Sequence, residues 1–228
     1  MKKIIIFGNS EIADLAYYYF SNDSQFEVVA FTIDDSYIKN DSFNKLPVIP
    51  FSKIEKEFSP NEYLMHVALS YKRLNKLREE KFNICSSKGY DFASYLSSKT
   101  TFLNDKNSIG KNCFILENQV IQKGVLIGNN VMFWSGNHIG HGTKIRDHTY
   151  ISSHVVISGN CVVGERCFFG VNSAVKDFIK IEDDCFIAMG SNITKDMKQG
   201  SISINSNTEI YDNNSKISKL IKKKYFDL

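Results

Sequence analysis

The sequence predicts two architectures in series, an α/β unit followed by an all-β parallel β-helix, with a charged tail. Three observations carry this. Strand and helix patterns alternate over the first hundred residues, a six-residue apolar period runs unbroken from Ile109 to Ile193, and after Met197 that period stops. The expected segments are 1–100, 101–198 and 199–228.

The opening unit reads in order as a strand over 3–7, a turn at Gly8-Asn9-Ser10, a helix over 11–20 and a second strand over 26–31 that ends at Asp34-Asp35. This is a Rossmann-like βαβ unit. A helix N-terminus after the first strand offers N–H donors to a phosphate, and acidic residues after the second can hold a ribose or base. The full G-x-G-x-x-G is absent, so an NAD-dependent dehydrogenase is not expected. A segment at 54–58, a strand over 63–69, a basic helix over 71–81 and the run 90–96 complete the unit, with its boundary near 97–101.

The second half is organised by its period. Stepping by six from Ile109 through Ile115, Ile121 and Ile127 to Ile193, every residue is large and apolar, and the fourth residue after each anchor is mostly small or β-branched. One such unit cannot bury itself, but three make an 18-residue triangular coil, and parallel coils stack ~4.8 Å apart. About five coils are expected. Cys113, Cys161, Cys167 and Cys185 all fall in the small inward column, which reads as packing. The residue before each anchor turns outward, so one face presents Phe114, Met132, Tyr150, Phe168 and Phe186. That stripe is too apolar to leave in water; the chain's own termini or a second subunit can cover it, and a subunit interface is the expectation. Another face presents Val120, His138, Val156, Ala174 and Asn192. Three residues beyond His138, His141 stands between Gly140 and Gly142 at a corner. Histidine suits proton removal near neutral pH, and this pair is the catalytic candidate. His148 and His154 are expected at solvated corners, and His66 within a strand.

Composition narrows the function. The chain has 228 residues, 43% hydrophobic and 23% charged, with 28 Lys plus Arg against 25 Asp plus Glu. No basic stripe precedes the tail, so no nucleic-acid partner is expected. No apolar run approaches the ~20 residues of a membrane span, and the N-terminus enters a strand rather than a signal-peptide core. A cytoplasmic protein without membrane insertion is expected. Its five cysteines then read as thiols, at spacings that fit neither a disulfide framework nor a metal site.

The hexad frame resembles the hexapeptide-repeat acyltransferases over roughly residues 103–198. The opening unit resembles the N-terminal domain of the sialic-acid O-acetyltransferase and bacillosamine N-acetyltransferase type. The resemblance implies left-handed coils, a homotrimer, acetyl-CoA as cosubstrate with no metal, and a corner histidine between subunits as general base, which falls on His141. It also implies nucleotide contacts at Gly8, Asn9, Ser10, Asp34 and Asp35. The acidic neighbour that often orients such a histidine is replaced here by glycine, which leaves Asp147, Glu117 or a main-chain carbonyl as the orienting partner and His138 as a second catalytic candidate. At 141 plus 18 stands Gly159, for which two readings stay open: a corner glycine at positive φ, or a glycine that lets the thioester approach and whose N–H holds the oxyanion. After Met197 the run Gly200-Ser201-Ile202-Ser203-Ile204-Asn205 replaces the closing motif of relatives, so no coenzyme A contact is carried over there. The tail over 215–226, with Lys222-Lys223-Lys224, reads as a solvated amphipathic helix.

The expected function is acetyl-CoA-dependent N-acetylation of a nucleotide-linked amino-deoxysugar in bacterial surface-glycan synthesis. Alternatives are O-acetylation of a sialic acid or related free sugar, a non-catalytic trimeric β-helix scaffold, and a metal-dependent hydratase, for which only His138 and His141 are placed.

Overall fold

The structure, a computed structural model, describes residues 2–102, 108–204 and 211–226. Met1, the first repeat positions from 103 to 107, and Asn205 lie outside the described residues.

The N-terminal elements are β1 (Lys2–Phe7), α1 (Glu11–Asn22), β2 (Phe26–Ile33), β3 (Ser42–Phe43), β4 (Leu46–Pro50), α2 (Ile54–Glu57), β5 (Leu64–Val67) and α3 (Lys76–Ser87). The sheet order is β3-β4-β2-β1-β5, with every pair parallel except β3 with β4. β1 lies inside the sheet between β2 and β5 and is covered on both faces, which is why Ile4, Ile5 and Ile6 form an unbroken buried run. α1 buries Ala13, Ala16 and Phe20, one stripe of an amphipathic helix. The basic helix expected over 71–81 begins only at Lys76, because Arg73, Leu74 and Asn75 all take positive φ and hold the chain out of the helical region.

From Ser108 to Ile193 two-residue rungs then pair with the rung 18 residues on, for example Met132–Phe133 with Tyr150–Ile151, while the end rungs pair at 19 residues (Tyr95 with Phe114, Thr101 with Val120) and 16 (Phe186 with Ile202). They form a three-sided prism. The described rungs number seven on the first face, from Tyr95–Leu96 to Ile202–Ser203, six on the second, which carries His138–Ile139, and five on the third, which carries Lys144–Ile145. The prism starts at Tyr95, ahead of the expected boundary, and Ile202–Ser203 adds a rung beyond the point where the six-residue period stops. Inside it, the anchors and the small column form one continuous core in which Cys113, Cys161, Cys167 and Cys185 are fully buried. Burial pushes the Cys113 thiol up to about 12, so this cysteine stays an inert packing group.

A third column underlies the corners. From Asn112 to Gly190, every sixth residue has positive φ, which explains why so many are Asn or Gly. His148 (φ 64) and His154 (φ 58) are members; His141 is not.

Most of the aromatic stripe is covered from within the chain, and only Phe186 at its far end lies beyond that cover. The chain's own N-terminal unit lies on the first face: Phe114, Met132 and Tyr150 are each no more than 4% exposed and share a cluster with Phe20 and Tyr95. Tyr71 meets both Tyr150 and Phe168, at 5.1 and 4.9 Å between ring centroids. The reason is local. Burying one aromatic side chain is worth roughly 1.5–3 kcal/mol, and a tethered domain reaches the stripe without the entropic cost of association. Two edges of this domain grip the corners beside that face: Tyr19 of α1 donates to Glu117 Oε2 at 2.8 Å, and Asn75 and Arg78 reach Arg166, Asn130 and His148. The helix α4 (Lys216–Phe226) follows, with Ile217, Leu220 and Ile221 exposed.

Candidate active site

His141 occupies the corner between the second and third faces, opposite the face that the N-terminal unit covers. Its place is made by glycines. Gly142 has φ 67, and a Cβ on Gly140 would lie 2.5 Å from the Gly159 nitrogen of the coil above, so the corner closes tightly on both sides of an exposed imidazole. Gln122, from the coil below, accepts the His141 backbone N–H at 2.9 Å with the same Oε1 that lies 3.2 Å from Nδ1. A carbonyl oxygen only accepts, so Nδ1 carries the proton and Nε2 presents its lone pair. Asn160 Nδ2 stands 3.4 Å from Nε2.

The side chain at Nδ1 is therefore Gln122, and the two carboxylates expected from the sequence as orienting partners are engaged elsewhere. Glu117 accepts from Tyr19 and from Ser135 Oγ at 2.8 Å, while Asp147 caps Asn129 at 2.8 Å. His138 lies on the second face, half-buried between Val120 and Val156 in the rung register. Folding the sequence at 18 residues puts Gln122 directly under Gly140, beside His141, and that is the signal that would have found it.

Gly159 overturns the positive-φ reading and the amide's part in the other. Its φ is not positive, and a Cβ there would sit 2.5 Å from His141 Cε1, so glycine is required to leave the imidazole its space. Its N–H, however, donates to Asp177 Oδ1 at 2.9 Å, so the oxyanion role expected of that amide is already displaced by a carboxylate from the next coil.

A second concavity, a cleft of about 790 Å³, opens at the carboxyl ends of β1, β2 and β5. The strand order reverses between β1 and β5, which is where open α/β sheets bind ligands. Gly8, Asn9, Ser10 and Asp34 all line it. Gly8 has φ 132, and a Cβ on it would lie 2.8 Å from the Ala68 carbonyl oxygen, so the two strand ends meet only because the residue is glycine. Asp34 is paired with Lys81 at 2.8 Å. Asp35 does not line the cleft: it binds the Ser52 N–H and hydroxyl at 3.1 and 2.5 Å, and those hydrogen bonds hold its carboxyl below the ordinary range. The sequence reading missed Lys39, Lys72 and Arg73, which give the cleft a cationic wall.

The corner histidines separate sharply. His154 is exposed as expected, but His148 is 6% exposed beneath α3, with its Nδ1 2.9 Å from Asn130 Nδ2 and the Phe82 ring against it. Burial pushes it down to about 4, as it does His66, whose Nδ1 donates to the Ala93 carbonyl at 3.0 Å. Neither has access to a substrate. Among the described residues no cluster of three His, Cys, Asp or Glu side chains is placed to hold a metal ion, and no helix is long and apolar enough to cross a membrane.

Comparison with known proteins finds the same repeat in the sequence and the same fold. The model of the bacterial transferase hexapeptide (six repeats) matches residues 124–159, and that of the hexapeptide repeat of succinyl-transferase matches 106–133 and 160–195. No curated protein matches the sequence. Among solved structures, the acetyltransferase domain of PglB from Neisseria gonorrhoeae superposes with a TM-score of 0.76 at 18% identity, covering 89% of this chain and 96% of that one. PerB from Caulobacter crescentus, solved in complex with CoA and GDP-perosamine, gives 0.75 at 16% identity over 89% and 94%. WeeI from Acinetobacter baumannii gives 0.61 at 16% identity over 89% and 96%. At such identities the shared property is the fold, α/β unit and prism together. Together the two models match residues 106–195, the stretch that folds as the repeated part of the prism.

Proposed function

We propose that the protein transfers the acetyl group of acetyl-CoA to the amino group of a nucleotide-linked amino-deoxysugar, in the synthesis of a bacterial surface glycan. The observation that carries this reading is the pairing of one exposed, tautomerically set histidine on a hexapeptide-repeat prism with a cationic cleft at the switch point of an α/β sheet. PerB, whose fold superposes on 89% of this chain, is solved with CoA and GDP-perosamine.

In the proposed reaction His141 Nε2 accepts a proton from the amine as its nitrogen bonds to the thioester carbon. The carbon–sulfur bond then breaks, and the imidazolium returns the proton to the departing thiolate. No covalent enzyme intermediate is required, since a neutral amine is itself a nucleophile. Gly159 keeps the thioester's approach to the ring open, and His138 lines the face leading to it. Gly8, Asn9, Ser10 and Asp34 hold the nucleotide in the cleft of the α/β unit; Asp35, turned to Ser52, is dropped from that set.

The placement of the two parts supports a homotrimer. The N-terminal unit grips the first face and both its corners, whereas His141 stands at the opposite corner. A nucleotide bound in the cleft of one chain would meet the histidine of another across a seam, along the second face where Val120 and Val156 are exposed.

Acetyl-CoA offered with UDP-, dTDP- and GDP-linked amino sugars should release free thiol with at least one of them. Thiol release only with free, unlinked sugars would replace the nucleotide-sugar reading by the free-sugar one, and none with any acceptor would remove the transferase reading altogether.

A further inference from the structure

We propose that residues 72–75 form the diphosphate-binding turn of the cleft, with Lys72 and Arg73 as ligand contacts and the buried pair Asn75 and Arg78 as positioning residues. This rests on the nucleotide-sugar reading of the cleft and assigns it residues that reading does not contain.

The first observation is backbone strain. Arg73, Leu74 and Asn75 have φ of 55°, 51° and 64°, three successive non-glycine residues in the left-handed region. Such a run persists only where the surroundings over-determine it.

The surroundings are the prism. Asn75 is fully buried, and its Nδ2 donates to the carbonyls of Arg166 and Cys167, each at 3.1 Å. Its Oδ1 accepts from Arg78 Nη2 at 3.0 Å. Arg78, 2% exposed, gives its remaining terminal donors to the Asn130 carbonyl, to Asn130 Oδ1 at 3.1 Å and to the His148 carbonyl at 2.8 Å. Every partner of this buried guanidinium is neutral. If α3 needed only to adhere to the prism, apolar side chains of similar size would do so at no cost in desolvation. A planar cation fastened to main-chain carbonyls fixes direction as well as contact.

What it directs is charge. The turn ends in the anchor and begins at Lys72 and Arg73, which line the cleft together with Lys39 and Lys81. Two carboxylates offset these four cations: Asp34 pairs with Lys81 at 2.8 Å and Glu80 with Arg73 at 3.2 Å, the latter an exposed pair that a ligand can displace. The surplus is two positive charges, which complements a diphosphate. α3 thus has two working sides, Leu77, Glu80 and Lys81 toward the cleft and Arg78 toward the prism corner.

Calorimetric titration of the full chain with UDP and with GDP tests this. The wild type should bind at least one, and the Lys72→Gln/Arg73→Gln double variant should bind it about tenfold or more weakly, as expected for losing charge-assisted contacts. Asn75→Gly relieves the backbone at that position but removes the anchor; it should weaken the same nucleotide by about fivefold while acetyl-CoA affinity stays unchanged. A merely structural Asn75 would lower the melting temperature of that variant and leave nucleotide affinity intact, which would overturn the positioning role. Undiminished binding by the double variant, whose two sites are exposed and tolerate substitution, would overturn the diphosphate assignment alone. Acetyl transfer by a wild-type protein that binds no nucleoside diphosphate would overturn the nucleotide reading and this inference with it. Nucleotide binding lost in the variants of a protein that transfers no acetyl group would uphold the inference and remove only the transferase reading.

Discussion

Two corners of the prism are built by the same six-residue rule and have opposite fates. At the corner between the third and first faces, His148 lies under α3, neutral, bonded to Asn130 and shut from solvent. At the corner between the second and third faces, His141 stands exposed with its Nδ1 set by Gln122. The repeat provides equivalent backbone to both. What separates them is the cover, since the N-terminal unit occupies the first face and its two corners and leaves the third corner open. A second difference lies within the hexad: His148 is the left-handed corner residue itself, a position held mostly by Asn and Gly elsewhere, whereas His141 precedes that position, which Gly142 fills. A histidine in the left-handed column serves the turn, and one displaced from it is free for chemistry.

The sharpest way to break this comparison is to remove each imidazole. His141→Ala should lower kcat/KM for acetyl transfer by roughly 10²–10⁴-fold with an unchanged melting temperature, as expected for a general base. His148→Asn keeps a residue suited to positive φ, so it should shift stability and leave the reaction's dependence on pH as it was. A reversal of these two outcomes in parallel assays would place the base at the wrong corner.

Acid should expose the covered side next. His66 and His148 are both held down to about 4 by burial, with the backbone carbonyl of Ala93 opposing that shift at His66 and Arg78 adding to it. Their folded-state values lie below the ordinary histidine value of ~6.5, so the unfolded chain binds more protons between about pH 6.5 and 4, and stability falls as pH falls through that window. For the fully buried His66 this amounts to about 3 kcal/mol at the acid end. Urea unfolding followed between pH 7 and 4.5 should show that loss, and His66→Gln should flatten it; a curve equally steep in the variant would remove His66 from the account.

A smaller effect probes the open corner. Gly159→Ala places a methyl 2.5 Å from His141 Cε1 at a residue whose φ tolerates alanine. The fold should survive and the ring should move, costing roughly ten- to a hundredfold in kcat, the scale of a misplacement of about 1 Å at a reacting group. Normal turnover in this variant would show that the ring's position is not set by the space above Gly159.

The prism was legible because its requirement repeats: a large inward residue every six positions without exception from Ile109 to Ile193, and a mostly small or β-branched one four later. The buried cysteines, the paired rungs and the corner of His141 follow from that frame. The cover of the aromatic stripe was not legible, because Phe114 and Tyr150 present the same apolar face to a second subunit as to the chain's own first hundred residues, and periodicity carries no information about which arrives. His148 was misread as solvated for the same reason. Asp35 and Asp34 are adjacent and chemically identical, and only the Ser52 hydroxyl, 17 residues on, separates their roles. Arg78 escaped notice inside a basic helix, where one cation among several gives no sign that it points inward.

The smallest expected effect falls on the residue that links the frame to the chemistry. Gln122 reaches His141 from the coil below, and its Oε1 holds both the backbone N–H and Nδ1. Gln122→Ala leaves the glycines of the corner untouched but removes the acceptor of both the His141 backbone N–H, which water can replace at this exposed corner, and Nδ1, which loses its fixed tautomer. One neutral hydrogen bond is worth about 1 kcal/mol, which predicts a loss of about fivefold in kcat/KM. Gln122→Glu retains an acceptor at Nδ1 and adds a charge that favours the imidazolium, so it should move the acid limb of the pH–rate profile to higher pH. The corresponding change under the covered corner, Asn130→Ala, should leave that limb where it is, because the ring it supports never takes a proton from substrate. If both variants shift the profile alike, the two corners are coupled through the prism and the division between a turn-forming and a catalytic histidine fails.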